Sequence, residues 1–266
     1  MKMRVAVLQL DIALGDKKKN YENIERWMAA THTPSDLPTA VVLPELWNTG
    51  YALSRAKELA DPEGHDAQAF LGGLAKKYGV WFVGGTVLVS TGSGFANRAQ
   101  VIDPKGNLVG HYDKVHLIRL MEEEKYFTAG RQDLRFDLEG VQAGVVICYD
   151  IRFCEWLRSY ALQGTEVLFV SAQWPTARAD HWRALLMARA IENQMYVVAC
   201  NRCGTSGDTH FGGGSMVLGP KGEVLFEGGN GEEAGYVVID TDEVTRTRQF
   251  LTVFKDRVPE VYKKLV

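Results

Sequence analysis

Three chemically reactive side chains each follow a short apolar segment of the chain. The segments are VVLPE, ending at Glu45, GHYDK, ending at Lys114, and GVVIC, ending at Cys148. Short apolar runs are typical of buried strands, and in sheet-based enzymes ligands tend to bind where strands end and loops begin. We therefore expect a carboxylate, an ammonium group and a thiol to meet in one pocket.

Together these groups could hydrolyse an amide. A thiol with its usual pKa of about 8.5 is only slightly ionised at neutral pH, so it needs a base. The carboxylate of Glu45 could take the proton of Cys148 during attack on a carbonyl carbon, and could later protonate the leaving ammonia and activate water. Lys114 could stabilise the oxyanion together with a backbone N–H, for which that of Tyr149 is the candidate.

Each residue also has an ordinary structural interpretation. A glutamate after Val-Leu-Pro is usually a solvated loop charge, a lysine after a strand usually lies at the surface, and a cysteine after Val-Val-Ile is usually a small core residue. A different alternative is a redox or zinc-binding protein that uses the C-x-x-C pair Cys200 and Cys203. Zinc would need four ligands, and the remaining cysteines, Cys148 and Cys154, lack the usual short spacing.

The composition and the absence of several known motifs argue against some classes of function. The 266 residues carry a formal net charge of −3, so we expect no nucleic-acid partner. No run of about eighteen apolar residues exists, which predicts no membrane span, and Gln9 and Asp11 interrupt the first apolar run, which argues against a signal peptide. Four cysteines are typical of a protein from a reducing cytoplasm. Walker A, G-x-S-x-G and H-E-x-x-H motifs are absent.

Strand and helix patterns alternate along the chain, which predicts one mixed α/β domain over residues 1–266. Asp180 is the expected cap of a helix near residue 181. Two turns of similar composition, D-P-K-G-N at 103–107 and G-P-K-G at 219–222, predict hairpins and suggest weak similarity between the two halves. The predicted strands cover 4–10, 40–43, 80–90, 97–102, 108–112, 141–147, 167–170, 195–200 and 236–239, and the predicted helices include 66–78 and 154–162.

The segments around the three reactive residues resemble the nitrilase superfamily of carbon–nitrogen hydrolases. VVLPELWNTGY, HYDKVHL and GVVICYDIRFCEW are similar to its three signature segments, in the same order, and DHWRALLMARAIENQMYVVACNRCG resembles its fourth recurrent segment. The likeness extends from residue 4 to about residue 241. It favours the catalytic interpretation of Glu45, Lys114 and Cys148.

The resemblance implies a four-layer α-β-β-α sandwich, with two sheets face to face and helices outside, and a homodimer packed through the helical layers. We expect no metal and no cofactor. The resemblance also implies a second glutamate between the lysine and the cysteine that positions substrate and lysine. Counting back from Gly130, Glu123 fits that position best, and Glu122 and Glu124 are the fallbacks.

The short chain and the segments CYDIRF and SAQWPTARADHW resemble bacterial ω-amidase-like proteins, whereas true nitrilases usually have C-W-E after the cysteine. This implies that a short dicarboxylic monoamide, such as 2-oxoglutaramate or succinamate, is hydrolysed to release ammonia. A deaminated-glutathione or carbamoyl-amide hydrolase is the alternative. By position, Tyr51 could reach the substrate carboxylate, Trp174 could line the pocket, unless both are core residues, and Arg178 could pair bidentately with a carboxylate. Arg152 could pair with the carboxylate in the same way, but we expect it to be structural, tied to a nearby acid.

Overall fold

The computed structural model describes residues 1–263, so the last three residues of the predicted domain, 264–266, lie outside the described part. The helices are α1 (Lys17–Thr31), α2 (Ala56–Leu59), α3 (His65–Tyr78), α4 (Cys154–Leu162), α5 (Ala179–Asn193), α6 (Asp242–Phe250) and α7 (Pro259–Tyr262). The strands are β1 (Lys2–Gln9), β2 (Thr39–Val42), β3 (Asp61–Pro62), β4 (Trp81–Thr91), β5 (Gly94–Ile102), β6 (Leu108–Asp113), β7 (Leu134–Leu138), β8 (Val141–Ile147), β9 (Val167–Ala172), β10 (Tyr196–Asn201), β11 (Cys203–Ser206), β12 (Thr209–Gly212), β13 (Met216–Leu218), β14 (Val224–Glu227) and β15 (Glu233–Asp240).

The two large sheets repeat one pairing pattern. In the first, β15 pairs antiparallel with β1, then β1, β2 and β4 run parallel, and β4, β5 and β6 are antiparallel neighbours. In the second, β7 pairs antiparallel with β8, then β8, β9 and β10 run parallel, and β10, β13 and β14 are antiparallel. The two Pro-Lys-Gly turns close the β5–β6 and β13–β14 hairpins, which occupy equivalent places in this pattern.

Alternation along β1 shows how the layers stack. Met3, Val5 and Val7 are buried in one apolar cluster with residues of the second sheet. Ala6 and Leu8 point to the opposite face and are buried with residues of α1 and α3. Helices α4 and α5 contribute to the core on the outer face of the second sheet. The predicted α-β-β-α sandwich is confirmed.

The element predictions needed small corrections. Most strand and helix bounds differ from the predicted ones by one to three residues. Asp180 is not the cap of α5, because the helix begins at Ala179, and the capping position, Arg178, makes no side-chain hydrogen bond to it. The chain enters α5 from a short 3-10 turn, Thr176–Arg178, so Asp180 already lies in the first helical turn, where its charge suits the helix dipole. Across residues 1–263, no helix is long and apolar enough to cross a membrane.

Strand ends from both sheets converge at one edge. The chain reaches Glu45 just after β2, Lys114 directly after β6, and Cys148 directly after β8. The backbone N–H of Glu45 donates to the carbonyl of Ala172, at the end of β9 in the other sheet. Because the sheets pack face to face, side chains that leave different sheets enter the same small space between them.

Candidate active site

Cys148 occupies a strained backbone position. It begins a 3-10 turn, Cys148–Arg152, immediately after β8, and its φ of 45° lies in the left-handed region. For a residue with a Cβ this conformation costs about 1–2 kcal/mol, so the surrounding contacts must hold it. The residue is 5% exposed, which leaves the thiol nearly enclosed at the edge of the sheet.

Glu45 is the centre of a hydrogen-bond cluster. Its Oε1 accepts hydrogen bonds from Lys114 Nζ at 2.8 Å, from Asn97 Nδ2 at 2.8 Å and from the hydroxyl of Tyr51 at 2.9 Å. Its Oε2 accepts from the backbone N–H of Gln173 at 2.9 Å. The side chain has no solvent exposure. These four donors hold the carboxylate in one orientation.

The ammonium group of Lys114 bridges two carboxylates. Its Nζ lies 2.8 Å from Glu45 Oε1 and 2.8 Å from Glu123 Oε1. Burial alone would lower the pKa of Lys114, but the negative charges of Glu45 and Glu123 outweigh it, and the pKa is raised. Lys114 therefore stays charged inside the protein.

The structure separates the three neighbouring glutamates. Glu123 is fully buried, and its Oε2 accepts the backbone N–H of Ile118 at 2.8 Å. Glu122 is exposed and pairs with Lys125, and Glu124 is also exposed. Burial raises the pKa of Glu123, the charge of Lys114 lowers it, and the net pKa is raised. Of these three neighbours, Glu123 is thus the one that contacts Lys114.

Tyr51 joins the two carboxylates. Its hydroxyl lies 2.9 Å from Glu45 Oε1 and 2.8 Å from Glu123 Oε1. A hydroxyl has one proton and can donate to only one of them at a time. The hydroxyl of Tyr51, expected to reach a substrate carboxylate, is therefore engaged with the carboxylates of the site itself.

The thiol of Cys148 is held in its neutral form. Burial raises its pKa well above the usual value, the charges of Glu45 and Glu123 raise it further, and Lys114 opposes them. A neutral thiol is a weak nucleophile, so its proton must leave during attack rather than before it.

The other predicted binding residues lie around this cluster. Trp174 is buried, and its Nε1 donates to the carbonyl of Arg178 at 2.7 Å. The half-buried Tyr149 lies with its ring 5.9 Å from the guanidinium of Arg152, which lies 4.6 Å from the ring of Trp174. The predicted pairing of Arg152 with an acid is therefore replaced by contacts with aromatic faces. Arg178 lines a cavity of about 650 Å³ whose other walls include residues 120, 121 and 208–210.

Two polar residues of the cluster were missed in the sequence. Gln173 follows the apolar strand β9, the same pattern that marked the other strand ends, and its Nε2 donates to the carbonyl of Glu45 at 2.6 Å. Asn97 lies inside β5 and had no such signal. Its carbonyl accepts the backbone N–H of Lys114 at 2.9 Å, so sheet pairing brings it to the site.

The C-x-x-C pair lies in the interior. Cys200 and Cys203 are both buried free thiols, and Cys200 Sγ donates to the carbonyl of Leu8 at 3.2 Å. Burial raises the pKa of both thiols. In the described part of the chain, no group of three or more His, Cys, Asp or Glu side chains is arranged to hold a metal ion.

Known proteins resemble this chain in sequence and in fold. The sequence model of the family described as carbon-nitrogen hydrolase matches residues 4–249. The chain is 43% identical to the 2-oxoglutaramate amidase of Bacillus subtilis (strain 168), over 98% of this chain and 100% of that protein. Two solved structures are similar. XC1258 from Xanthomonas campestris, a CN-hydrolase superfamily protein with an arsenic adduct in its active site, has a TM-score of 0.90 at 26% identity, covering 97% of this chain and 98% of that one. A mutant amidase from Nesterenkonia sp. AN1, with acrylamide added at the active site cysteine, has a TM-score of 0.84 at 26% identity, covering 99% and 100%.

Proposed function

Because the chain belongs to the carbon-nitrogen hydrolase family, we propose that it is a cysteine-dependent ω-amidase that releases ammonia from a short dicarboxylic monoamide such as 2-oxoglutaramate. The observation that carries this proposal is the buried cluster in which Lys114 bridges Glu45 and Glu123 next to the neutral thiol of Cys148. The similarity to the Bacillus subtilis 2-oxoglutaramate amidase over nearly the full length of both chains supports the substrate class.

In the first half of the reaction, the sulfur of Cys148 attacks the carbonyl carbon of the amide. The thiol proton passes to Glu45 as the S–C bond forms, because the raised pKa of the thiol disfavours a free thiolate. The negative charge moves to the carbonyl oxygen, which Lys114 and the backbone N–H of Tyr149 stabilise. Losing one such donor typically slows a reaction by about 10²–10³-fold.

In the second half, the C–N bond breaks and Glu45 returns its proton to the leaving ammonia. A thioester on Cys148 remains. Glu45, again a carboxylate, takes a proton from a water molecule that attacks the thioester carbon. The product acid leaves and the thiol regains its proton. Glu123 and Tyr51 act in this scheme by holding Lys114 and Glu45 in place.

The free carboxylate of the substrate needs a cation, and we assign this role to Arg178. It lines a cavity that is also lined by Leu120 and Met121, in the loop that leads to Glu123. The part of the cavity lining near Arg178 starts a few residues after Gln173 in the chain. The backbone N–H of Gln173 donates a hydrogen bond to Glu45. A guanidinium group can bind a carboxylate bidentately, which would select acids over neutral amides. The indole N–H of Trp174 donates a hydrogen bond to the carbonyl of Arg178, and this bond stabilises the turn that carries Arg178.

The test is ammonia release from a panel of amides by the purified protein. We expect turnover of 2-oxoglutaramate and succinamate, and loss of at least about 10³-fold in the Cys148→Ala variant, since the thiol forms the intermediate. Cys154→Ala is the matched control, because Cys154 is an exposed free thiol and should be dispensable. Turnover retained by folded Cys148→Ala protein would refute the assignment of Cys148 as the nucleophile. A preference for deaminated glutathione or a carbamoyl amide would refute the proposed substrate class.

We also infer a single domain, a homodimer and a cytoplasmic location. Exposed apolar side chains on the outer helical layer support a dimer, among them Ile191 on α5, 50% exposed, and Leu162 at the end of α4, 43% exposed. Sedimentation equilibrium should give twice the chain mass, and Ile191→Lys should shift the protein toward the monomer. A monomer at micromolar concentration for the unaltered protein would contradict the dimer.

A further inference from the structure

A second buried polar cluster lies behind the proposed nucleophile, and the chemistry above does not use it. Its centre is Asp150, whose side chain is completely buried. Asp150 Oδ2 accepts from the hydroxyl of Tyr112 at 2.7 Å and from the backbone N–H of Ile147 at 2.9 Å. Asp150 Oδ1 accepts from His116 Nδ1 at 2.7 Å and from the His116 backbone N–H at 3.0 Å. Because a carboxylate only accepts, His116 Nδ1 carries the proton.

These partners come from both sides of the proposed catalytic residues. Tyr112 lies two residues before Lys114 and His116 two residues after it, so Asp150 holds the chain on either side of that lysine. Ile147 directly precedes Cys148, and the bond from its N–H to Asp150 closes the turn in which Cys148 has its positive φ. One carboxylate therefore ties the lysine segment to the cysteine turn.

We propose that Asp150, Tyr112 and His116 form a positioning cluster that sets the distance between the Lys114 ammonium and the Cys148 thiol. This inference rests on the proposed role of Cys148 as nucleophile. The hydrogen bonds of this cluster within residues 1–263 run to the backbone beside the thiol and the ammonium rather than to those groups, so the three residues act through the backbone. Small displacements of reacting groups cost much rate, and a shift of about 1 Å can reduce turnover about 10²-fold.

The first test compares two buried tyrosines that differ in their partners. Tyr112 and Tyr160 are 1% and 0% exposed. Each hydroxyl donates one hydrogen bond and accepts one, but Tyr160 donates to the carbonyl of Val145 and accepts from the N–H of Leu134. We expect Tyr112→Phe to lower kcat at least tenfold with KM changed less than about threefold, and Tyr160→Phe to lose similar thermal stability with kcat nearly unchanged.

A readout without substrate separates this inference from the amidase proposal. In a Cys154→Ala background, the rate of Cys148 alkylation by iodoacetamide, followed by mass spectrometry, should fall about threefold or more in Tyr112→Phe. The reason is that a displaced Lys114 no longer stabilises the thiolate. Equal effects of Tyr112→Phe and Tyr160→Phe on kcat and on alkylation would overturn the positioning role, whatever amide the enzyme cleaves.

His116 should tolerate substitution without loss of the fold, because its side chain is 24% exposed. His116→Ala removes the bond to Asp150 and should lower kcat about tenfold. His116→Asn also loses the stacking of the imidazole on Phe153, but its amide N–H can replace the Nδ1 donor, so kcat should stay within about threefold of the unaltered enzyme. Identical kcat values for the two folded variants would overturn the role of this hydrogen bond.

Discussion

Charge balance around Cys148 is the central feature at the scale of residues. Two carboxylates and one ammonium group are buried together beside a thiol, so the site has more negative than positive groups. An added thiolate would be repelled by Glu45 and Glu123 and attracted only by Lys114. Keeping the thiol neutral avoids that cost, and the proposed transfer of its proton to Glu45 leaves the total charge of the pair unchanged during attack.

This balance predicts how the thiol responds to pH. In a Cys154→Ala background, the rate of Cys148 alkylation by iodoacetamide should rise about tenfold per pH unit from pH 7 to 9 without a plateau, because the pKa of Cys148 is raised well above 9.0. The modified residue is identified by peptide mass spectrometry. A plateau below pH 8 would mean that Lys114 outweighs the carboxylates.

The same shift affects stability. The pKa of the Cys148 thiol is higher in the folded protein than in the unfolded chain, so its contribution to the free energy of unfolding is present below about pH 9. That contribution is lost as the pH rises above this value, since the unfolded chain releases the proton first. Comparing urea unfolding of the unaltered protein and Cys148→Ala at pH 8 and pH 10 isolates this contribution. An equal pH dependence for the two proteins would contradict the raised pKa.

At the scale of elements, the segment after β6 is held by a close backbone approach. The N–H of Gly130 donates to the carbonyl of Lys114 at 2.9 Å, and a Cβ at Gly130 would overlap the carbonyl oxygen of Asp113. The overlap is with backbone, so no side-chain rearrangement can relieve it. The glycine therefore allows a later loop to press against the strand end that carries Lys114.

Gly130→Ala should consequently impair both stability and turnover. We expect a loss of about 1–3 kcal/mol in the free energy of unfolding from overpacking, and a kcat reduced at least tenfold because Lys114 is displaced. Chemical denaturation and ammonia release measure the two effects. Gly92→Ala is the matched control, since a Cβ there meets open space. Activity of Gly130→Ala equal to that of Gly92→Ala would show that the strand end tolerates the shift.

At the scale of the whole molecule, the space between the sheets both stabilises the fold and aligns the strand ends. Phe169 on β9 is completely buried there. It shares a strand face with Ser171, whose hydroxyl accepts the N–H of Gly85 in the first sheet. Packing between the sheets thus fixes how β2 and β6 of one sheet meet β8 and β9 of the other.

Phe169→Ala should destabilise the protein by about 3–5 kcal/mol, because it removes a large buried ring and leaves a cavity between the sheets. Phe250→Ala carries the same substitution at a side chain that is 92% exposed, and should change the free energy of unfolding by less than about 0.5 kcal/mol. Urea unfolding of both variants gives the comparison. A small loss of unfolding free energy in Phe169→Ala would mean that the two sheets can move together and fill the cavity.

Much of this fold follows from local patterns. Alternating or continuous apolar runs predicted most strands, and the helices α3 and α4 were predicted to within one residue, because burial on one face imposes a regular spacing of apolar residues. The predicted start of a helix was less accurate where a 3-10 turn precedes it, as at Thr176–Arg178 before α5. The nitrilase-type sandwich came from the resemblance, since periodicity alone does not say which faces meet.

The amino-acid sequence by itself determined the family, the layered fold and the three strand-end residues Glu45, Lys114 and Cys148. Only the tertiary structure decided which glutamate meets Lys114, because Glu122, Glu123 and Glu124 share one local composition and differ only in the direction each takes from its turn. It also decided the partners of Tyr51 and brought Asn97 and Gln173 to Glu45. Those contacts join residues far apart in the chain, and no local pattern encodes which distant groups a side chain will meet when two sheets close on each other.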